Sequence, residues 1–154
     1  MPSAYEIMAP VGSYESLAAA LKAGADSVYF GIEALNMRAH SAGRFTIDDL
    51  KAIAGRCAAQ GVKTYLTVNT IIYDDDIDQM HTICDAARAA GVSAVIAADV
   101  AVLVYCRSIG LEVHLSTQLN ISNAEALEFY ARYADVAVLA RELNLGQVKN
   151  ITDT

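Results

Sequence analysis

Leu111-Glu112-Val113-His114-Leu115-Ser116-Thr117-Gln118-Leu119-Asn120 is the stretch on which the reading of this chain turns. It begins as a buried strand and stops abruptly in hydroxyl and amide groups. Extended backbone alternates faces with period two. The expectation is therefore that His114, Ser116 and Gln118 share one face and Val113, Leu115 and Thr117 the other, with Ser122 opening a helix. A strand whose tip turns polar just before a helix is how α/β proteins build sites.

Working outward, the same pattern recurs six times. Apolar β-rich runs at Tyr5–Ala9, Ser27–Phe30, Lys63–Val68, Ala94–Ala97, Glu112–Leu115 and Val136–Leu139 are each followed by helical periodicity. Most show little alternation, as strands covered on both faces should. The sequence also supplies helix starts. Ser13, Thr46 (with Asp49), Asp74 or Asp75, Asp99, Ser122 (with Glu125) and Asn144 (with Gln147) are the expected caps. Gly24, Gly61, Gly91 and Gly110 stand where left-handed helix ends are wanted, each just before the next strand.

An α/β chain can close into a barrel or remain a doubly wound sheet. Ala9-Pro10-Val11-Gly12-Ser13 has one glycine where a dinucleotide fold needs three. Polar tips follow every strand rather than one switch point. Together these predict a β/α (TIM-like) barrel, partial, with about six βα units over residues 1–154. A full barrel needs eight strands. Six would leave open sheet edges, so the expectation is a portion of a longer protein, or self-association through those edges.

Bulk properties narrow the classes. The chain has 154 residues, 55% hydrophobic and 19% charged, with a net charge of -7 and a pI near 4.8. One domain of this length buries a core of ordinary size. The apolar excess is Ala and Val, and no apolar run reaches the ~20 residues a bilayer requires, so a membrane role is not expected. Met1-Pro2-Ser3 lacks the basic start and apolar core of a signal peptide, which predicts a cytoplasmic location. The acidic balance recruits no nucleic acid by itself. Cys57, Cys84 and Cys106 share no short ligand spacing and read as small buried hydrophobes, so no metal site is expected here.

The strand tips define the candidate site. In order they carry Pro10, Gly12 and Ser13; Gly31, Glu33 and Asn36-Met37-Arg38; Asn69 and Thr70; Asp99; Ser116, Gln118 and Asn120; Arg141 and Glu142. In a barrel these ring one mouth, and the arginines with amides and hydroxyls suit an anionic, oxygen-rich ligand. Asp99 also reads as a helix cap, and Asn69 and Gln118 as strand-end amides needing partners. His114 reads as a satisfied core histidine and His81 as a surface one, while His40 lies in a loop that approaches the mouth. Neither a nucleophile elbow nor a His-Glu-x-x-His zinc motif is present. Asp74-Asp75-Asp76 lacks the glycine and glutamate of a calcium loop and reads as a helix-start cluster.

Six ordered stretches also carry a family resemblance. They are Met8-Ala9-Pro10-Val11-Gly12-Ser13, Gly24-Ala25-Asp26-Ser27-Val28-Tyr29-Phe30-Gly31, Asn36-Met37-Arg38-Ala39, Thr67-Val68-Asn69-Thr70, His114-Leu115-Ser116-Thr117-Gln118 and Leu139-Ala140-Arg141-Glu142-Leu143. Together they resemble the N-terminal part of the peptidase U32 family, the collagenase-like proteases. The resemblance implies a β/α barrel whose mouth is lined by Asn36, Arg38, Asn69, Gln118, Arg141 and Glu142. It implies collagenase-like hydrolase activity for some members. For others it implies support of RNA hydroxylation, on tRNA or rRNA, or of hydroxylation in ubiquinone synthesis. In several branches four cysteines beyond the Arg-Glu-Leu motif hold an iron–sulfur cluster, at positions that Cys57, Cys84 and Cys106 do not match. Any cluster is thus expected in the full-length protein and outside these residues.

Three readings follow: a contributor to cluster-dependent RNA hydroxylation, a peptidase acting on peptides, or a non-catalytic binding or assembly module. The 154 residues alone are expected to be inactive.

Overall fold

The computed structural model describes residues 5–32, 35 and 45–153. Six strands alternate with six helices: β1 (Met8–Pro10), α1 (Tyr14–Lys22), β2 (Ser27–Phe30), α2 (Ile47–Ala58), β3 (Lys63–Val68), α3 (Ile77–Ala89), β4 (Ala94–Ala97), α4 (Val100–Ser108), β5 (Val113–Leu115), α5 (Ala124–Tyr130), β6 (Val136–Ala137) and α6 (Leu145–Thr152). All neighbours are parallel, in the sequential order β1-β2-β3-β4-β5-β6. A doubly wound sheet reverses its strand order at a switch point, and this one does not. Right-handed crossovers in one direction place every helix on the same side of the sheet, the arrangement of a barrel wall. The fold is the expected β/α half-barrel of six units.

The two faces of the sheet differ in composition. Val28, Phe30, Leu66, Val68, Val95, Ala97, Val113 and Leu115 belong to the apolar core beneath the helices. Against them pack Leu17 and Ala20 of α1, Leu50, Ile53 and Cys57 of α2, Met80, Ile83 and Cys84 of α3, and Leu103 and Cys106 of α4. Each fully buried Leu or Ile contributes roughly 1.5–3 kcal/mol by leaving water. The opposite, concave face carries Tyr29, Tyr65, Thr67, Ala94, Ile96 and His114, as the strand register requires.

The cap signals largely survive in the structure. The side chains of Ser13, Thr46, Asp99 and Asn144 accept backbone N–H groups from Ser16, Asp49, Ala101 and Gln147. Gly24, Gly61, Gly91 and Gly110 all adopt positive φ, from 68° to 79°. At such an angle a Cβ would meet its own backbone, so glycine closes these helices without strain.

Four local expectations are corrected. The first strand begins at Met8 rather than Tyr5, because the Ile7 N–H is taken by the Asp26 carboxylate at 2.8 Å instead of a strand ladder. The aspartates at 74–76 form a 3-10 turn, and α3 starts only at Ile77. The fifth helix is capped by Asn123, whose Oδ1 accepts the Ala126 N–H at 2.8 Å, rather than by Ser122. There Ile121 is drawn into the core and its carbonyl accepts Ala140 N–H, so the helix begins one residue later. Finally, alternation ends at Ser116: residues Thr117–Leu119 form a 3-10 turn and Asn120 is left-handed at φ 48°. Gln118 therefore does not continue the His114 face, and it is exposed rather than a buried amide.

Candidate functional site at the strand tips

The C-terminal ends of β3, β4 and β5 enclose a cavity of about 400 Å³ lined by Asn69, Thr70, Ile71, Ala98, Asp99, Gln118 and Leu119. That volume lies within the ~300–1,000 Å³ usual for small-ligand sites. Asn69 and Thr70 arrive on the backbone just past β3, Ala98 and Asp99 just past β4, and Gln118 and Leu119 on the 3-10 turn past β5.

Asp99 holds two walls together. Its Oδ1 accepts the Ala101 N–H at 2.9 Å, capping α4, while its Oδ2 accepts the Ile72 N–H at 3.1 Å from the loop after β3. Both oxygens are engaged with backbone donors, so Asp99 serves as cap and tie. Gln118 is held only loosely. Its Oε1 lies 3.4 Å from the Ser116 hydroxyl, and its N–H the same distance from that oxygen. The Thr70 Oγ1 is buried without a hydrogen-bond partner. Next along the loop, Ile71 is 70% and Tyr73 68% exposed.

Asn69 and Gln118, two of the residues expected at the mouth, are thus brought to one cavity. Arg141 and Glu142 lie in an exposed turn after β6 and do not line it. Asn36 and Arg38, with His40 and Arg44, lie outside the described residues. Among the described residues, the only charged group lining the cavity is the Asp99 carboxylate. The anionic ligand inferred from the sequence is therefore not favoured at this cavity by its described lining. The apolar walls Ile71, Ala98 and Leu119 carry no mark in the sequence, because an apolar residue past a strand end looks the same whether it lines a cavity or the core.

At the opposite end of the strands lies a polar network. Lys63 Nζ donates to Glu6 Oε2 at 2.7 Å, and the Tyr65 phenol donates to Glu6 Oε1 at 2.7 Å. Burial alone would raise the Glu6 carboxyl, but the bonds from Lys63 and Tyr65 and the nearby Ser27 outweigh it and hold it at about 2. The buried Ser27 hydroxyl closes no hydrogen bond of ordinary length; it stands close enough only to favour the ionised Glu6. Burial first, then the bond to Glu6, pushes the Tyr65 phenol well up. The His114 ring lies 4.8 Å from that of Tyr65, and its Nε2 is 2.9 Å from Glu112 Oε1. His114 is the satisfied histidine that the sequence suggested. His81 instead stacks on Tyr105 at 3.9 Å. A larger cavity, about 690 Å³, opens at this end beside Glu6, Asp26 and Lys63. Its charged groups are already paired, and this end of a β/α barrel carries stability rather than chemistry.

The cysteines are packed between helices. Cys84 Sγ lies 3.6 Å from Cys106 Sγ, and all three thiols are buried. The hydrogen bond from Cys106 and then burial push the Cys84 thiol up, and burial does the same for Cys57. Protonated thiols in an apolar interior do not fit a cluster-ligand set. No group of three metal-ligating side chains occurs among the described residues. No helix among them is long and apolar enough to cross a membrane.

The relationships of the chain agree with this geometry. A profile of peptidase family U32 matches residues 12–154. A collagenase of Porphyromonas gingivalis is 68% identical over 150 residues, 97% of this chain and 36% of that protein. tRNA hydroxylation protein P1 of Bacillus subtilis is 32% identical over 151 residues, 96% of this chain and 36% of that protein. Among solved structures, a U32 peptidase superposes with a TM-score of 0.80 at 15% identity, covering 99% of this chain and 66% of that one. That likeness speaks to the fold alone. The chain spans about a third of the length of these two curated relatives. Six βα units in barrel order, ordered motifs at the strand tips and a match across residues 12–154 lead to one statement: the chain belongs to peptidase family U32.

Proposed function

We propose that this chain forms the substrate-holding part of a U32 protein that supports RNA hydroxylation, with tRNA or rRNA as the substrate. The observation that carries the reading is the make-up of the strand-tip cavity. Among the described residues, two amides, a hydroxyl and apolar walls line it, and the one carboxylate is committed to backbone donors. Such a lining holds and orients a ligand. Peptide hydrolysis requires an activated nucleophile or water beside a base. Among the described residues the Ser116 hydroxyl meets only Gln118, while His114 is paired with Glu112 toward the other end of its strand. The similarity to a tRNA hydroxylation protein supports the reading. Oxidative chemistry would come from an iron–sulfur cluster in the full-length protein, held by residues other than Cys57, Cys84 and Cys106. Arg141 and Glu142, exposed beyond β6, join Asn36 and Arg38 in this reading as further contacts around the mouth. Buried free thiols and an RNA substrate go with a cytoplasmic location.

The second reading, a collagenase-like peptidase, is favoured by the 68% identity to a protein named collagenase. A third element concerns assembly. Met8 and Val136 in the outer strands, with Ile7 and Val138 beside them, are exposed, which supports self-association through open sheet edges.

One preparation of the full-length protein, made without oxygen, separates the readings. RNA hydroxylation predicts bound iron and a retained tRNA or rRNA fraction, with no gelatin cleavage. Gelatin cleavage lost on Glu142→Gln would instead establish the peptidase, and an iron-free product that ignores RNA would sink the first proposal. Sedimentation of the 154-residue chain as a clean monomer would remove the self-association.

A further inference from the structure

We infer that the strand-tip cavity is a subsite for a single unstacked nucleobase, held between apolar walls and read along its polar edge by Gln118, Asn69 and Thr70. The inference rests on the RNA reading above and deepens it. Three features of the cavity converge on this ligand.

The first is charge. Phosphate and carboxylate are recognised by cations, and the described lining holds none; its only charged group is the Asp99 carboxylate, whose two oxygens accept the Ala101 and Ile72 N–H groups. The described part of the cavity therefore suits an uncharged moiety.

The second is the pairing of amides with apolar surface. Side-chain amides present a donor and an acceptor side by side, which matches the adjacent donor and acceptor of a base edge. Proteins take single-stranded bases by splaying them against flat or apolar side chains and bonding their edges. Ile71, Ala98 and Leu119 supply the walls, and Tyr73, exposed two residues after Ile71, supplies an aromatic surface at the rim.

The third is unmet hydrogen bonding. The Thr70 Oγ1 is buried without a partner, a state that costs stability and, unlike that of Ser27, lies in the lining of this cavity. A turn about χ1 offers this hydroxyl to a bound base, so a ligand relieves the cost. Gln118 meets Ser116 only at 3.4 Å and is free to reorient without losing a strong bond. Asp99 sets the width of the slot, because it ties the loop carrying Ile71 to the start of α4.

The test follows the amide and methyl NMR signals of the full 154-residue chain during titration with uridine and cytidine. Parallel titrations use oligouridylate and N-acetylglycinamide. The expected result is a saturable shift of the Gln118 side-chain amide and the Ile71 methyls with at least one nucleoside. Gln118→Leu should weaken it about fivefold, the worth of one hydrogen bond. Thr70→Val should weaken it similarly while leaving the melting temperature unchanged or higher, since it removes an unsatisfied hydroxyl. A merely structural threonine would not separate binding from stability in that way. Oligouridylate binding without any nucleoside shift at this cavity overturns the subsite and leaves the RNA reading standing. Nucleoside binding without oligouridylate binding does the reverse. If N-acetylglycinamide alone moves these signals, the cavity takes a peptide group and the inference falls. Unchanged nucleoside affinity in both variants also overturns it.

Discussion

The two ends of this half-barrel treat most of their described polar groups in opposite ways, the buried Ser27 hydroxyl at the N-terminal end being an exception that closes no hydrogen bond of ordinary length. At the N-terminal ends of the strands, Glu6, Lys63, Tyr65, Glu112 and His114 are joined by bonds of 2.7 to 2.9 Å and an aromatic contact. At the C-terminal ends, Gln118 is held at 3.4 Å and the Thr70 hydroxyl not at all. Satisfied groups spend their hydrogen bonds on the fold, and changing them should change stability. Loosely held groups at the tips contribute little to the fold and remain able to meet a ligand. Small residues make the closed end feasible: the register places Ser27 between Met8 and Lys63, and Ala94 beside Tyr65. Glu6 thereby reaches across β2 to β3.

This contrast breaks if floor substitutions prove harmless or mouth substitutions prove damaging. The largest effect is expected from Tyr65→Ala, which empties a site where the side chain is 4% exposed. A loss of about 3 kcal/mol in urea unfolding is expected, near the low end for large aromatics. Next comes Asp99→Ala, which removes the α4 cap and the tie to Ile72 together. It should cost about 1–2 kcal/mol; a smaller loss, below a few tenths, would mean that the tie is idle. Asp99 is thus a mouth residue that behaves like the floor.

Tyr65→Phe should cost about 1 kcal/mol, because it deletes one hydrogen bond and keeps the ring. It also alters acid behaviour. Folding holds the Glu6 carboxyl at about 2 against an ordinary value of 4.5. A lowered carboxyl contributes stability that is present above pH 4.5 and lost as pH falls toward 2. Acid unfolding of Tyr65→Phe should therefore begin at higher pH than in the parent chain, as followed by circular dichroism. A coincident acid transition would remove Tyr65 from the account of Glu6. The smallest effect is expected at Gln118→Ala, within about 0.5 kcal/mol of the parent in the same unfolding measurement, as for other exposed residues. A loss of 2 kcal/mol there would erase the distinction between the two ends.

Much of the architecture was legible from local signals. Six apolar runs, the caps Ser13, Thr46, Asp99 and Asn144, and four glycines at helix ends each act within a few residues, so their meaning is visible in the chain itself. Where two local signals competed, reading failed. Ser122 and Asn123 are both good caps, and the choice between them went with burial of Ile121 and its bond from Ala140. The polar stretch after Leu115 carried no mark that distinguishes a continuing strand from a 3-10 turn.

The cavity was half legible. Asn69, Gln118 and Arg141 all follow strand ends and all belong to the stretches that carry the family resemblance, yet the described lining of the cavity includes the first two and not Arg141. The floor was not legible at all. Glu6 is separated by 57 residues from Lys63 and 59 from Tyr65, and nothing local links them.

By itself, then, the sequence determined the alternation of strand and helix, the helix ends and the apolar face that each helix buries, because propensity, capping and periodicity are local forces. Tertiary structure decided which groups come together across strands: the Glu6 network, the double role of Asp99, and the placing of Asn69 and Gln118 on one cavity. Those contacts depend on sheet register and strand order, which arise only when the six units pack together.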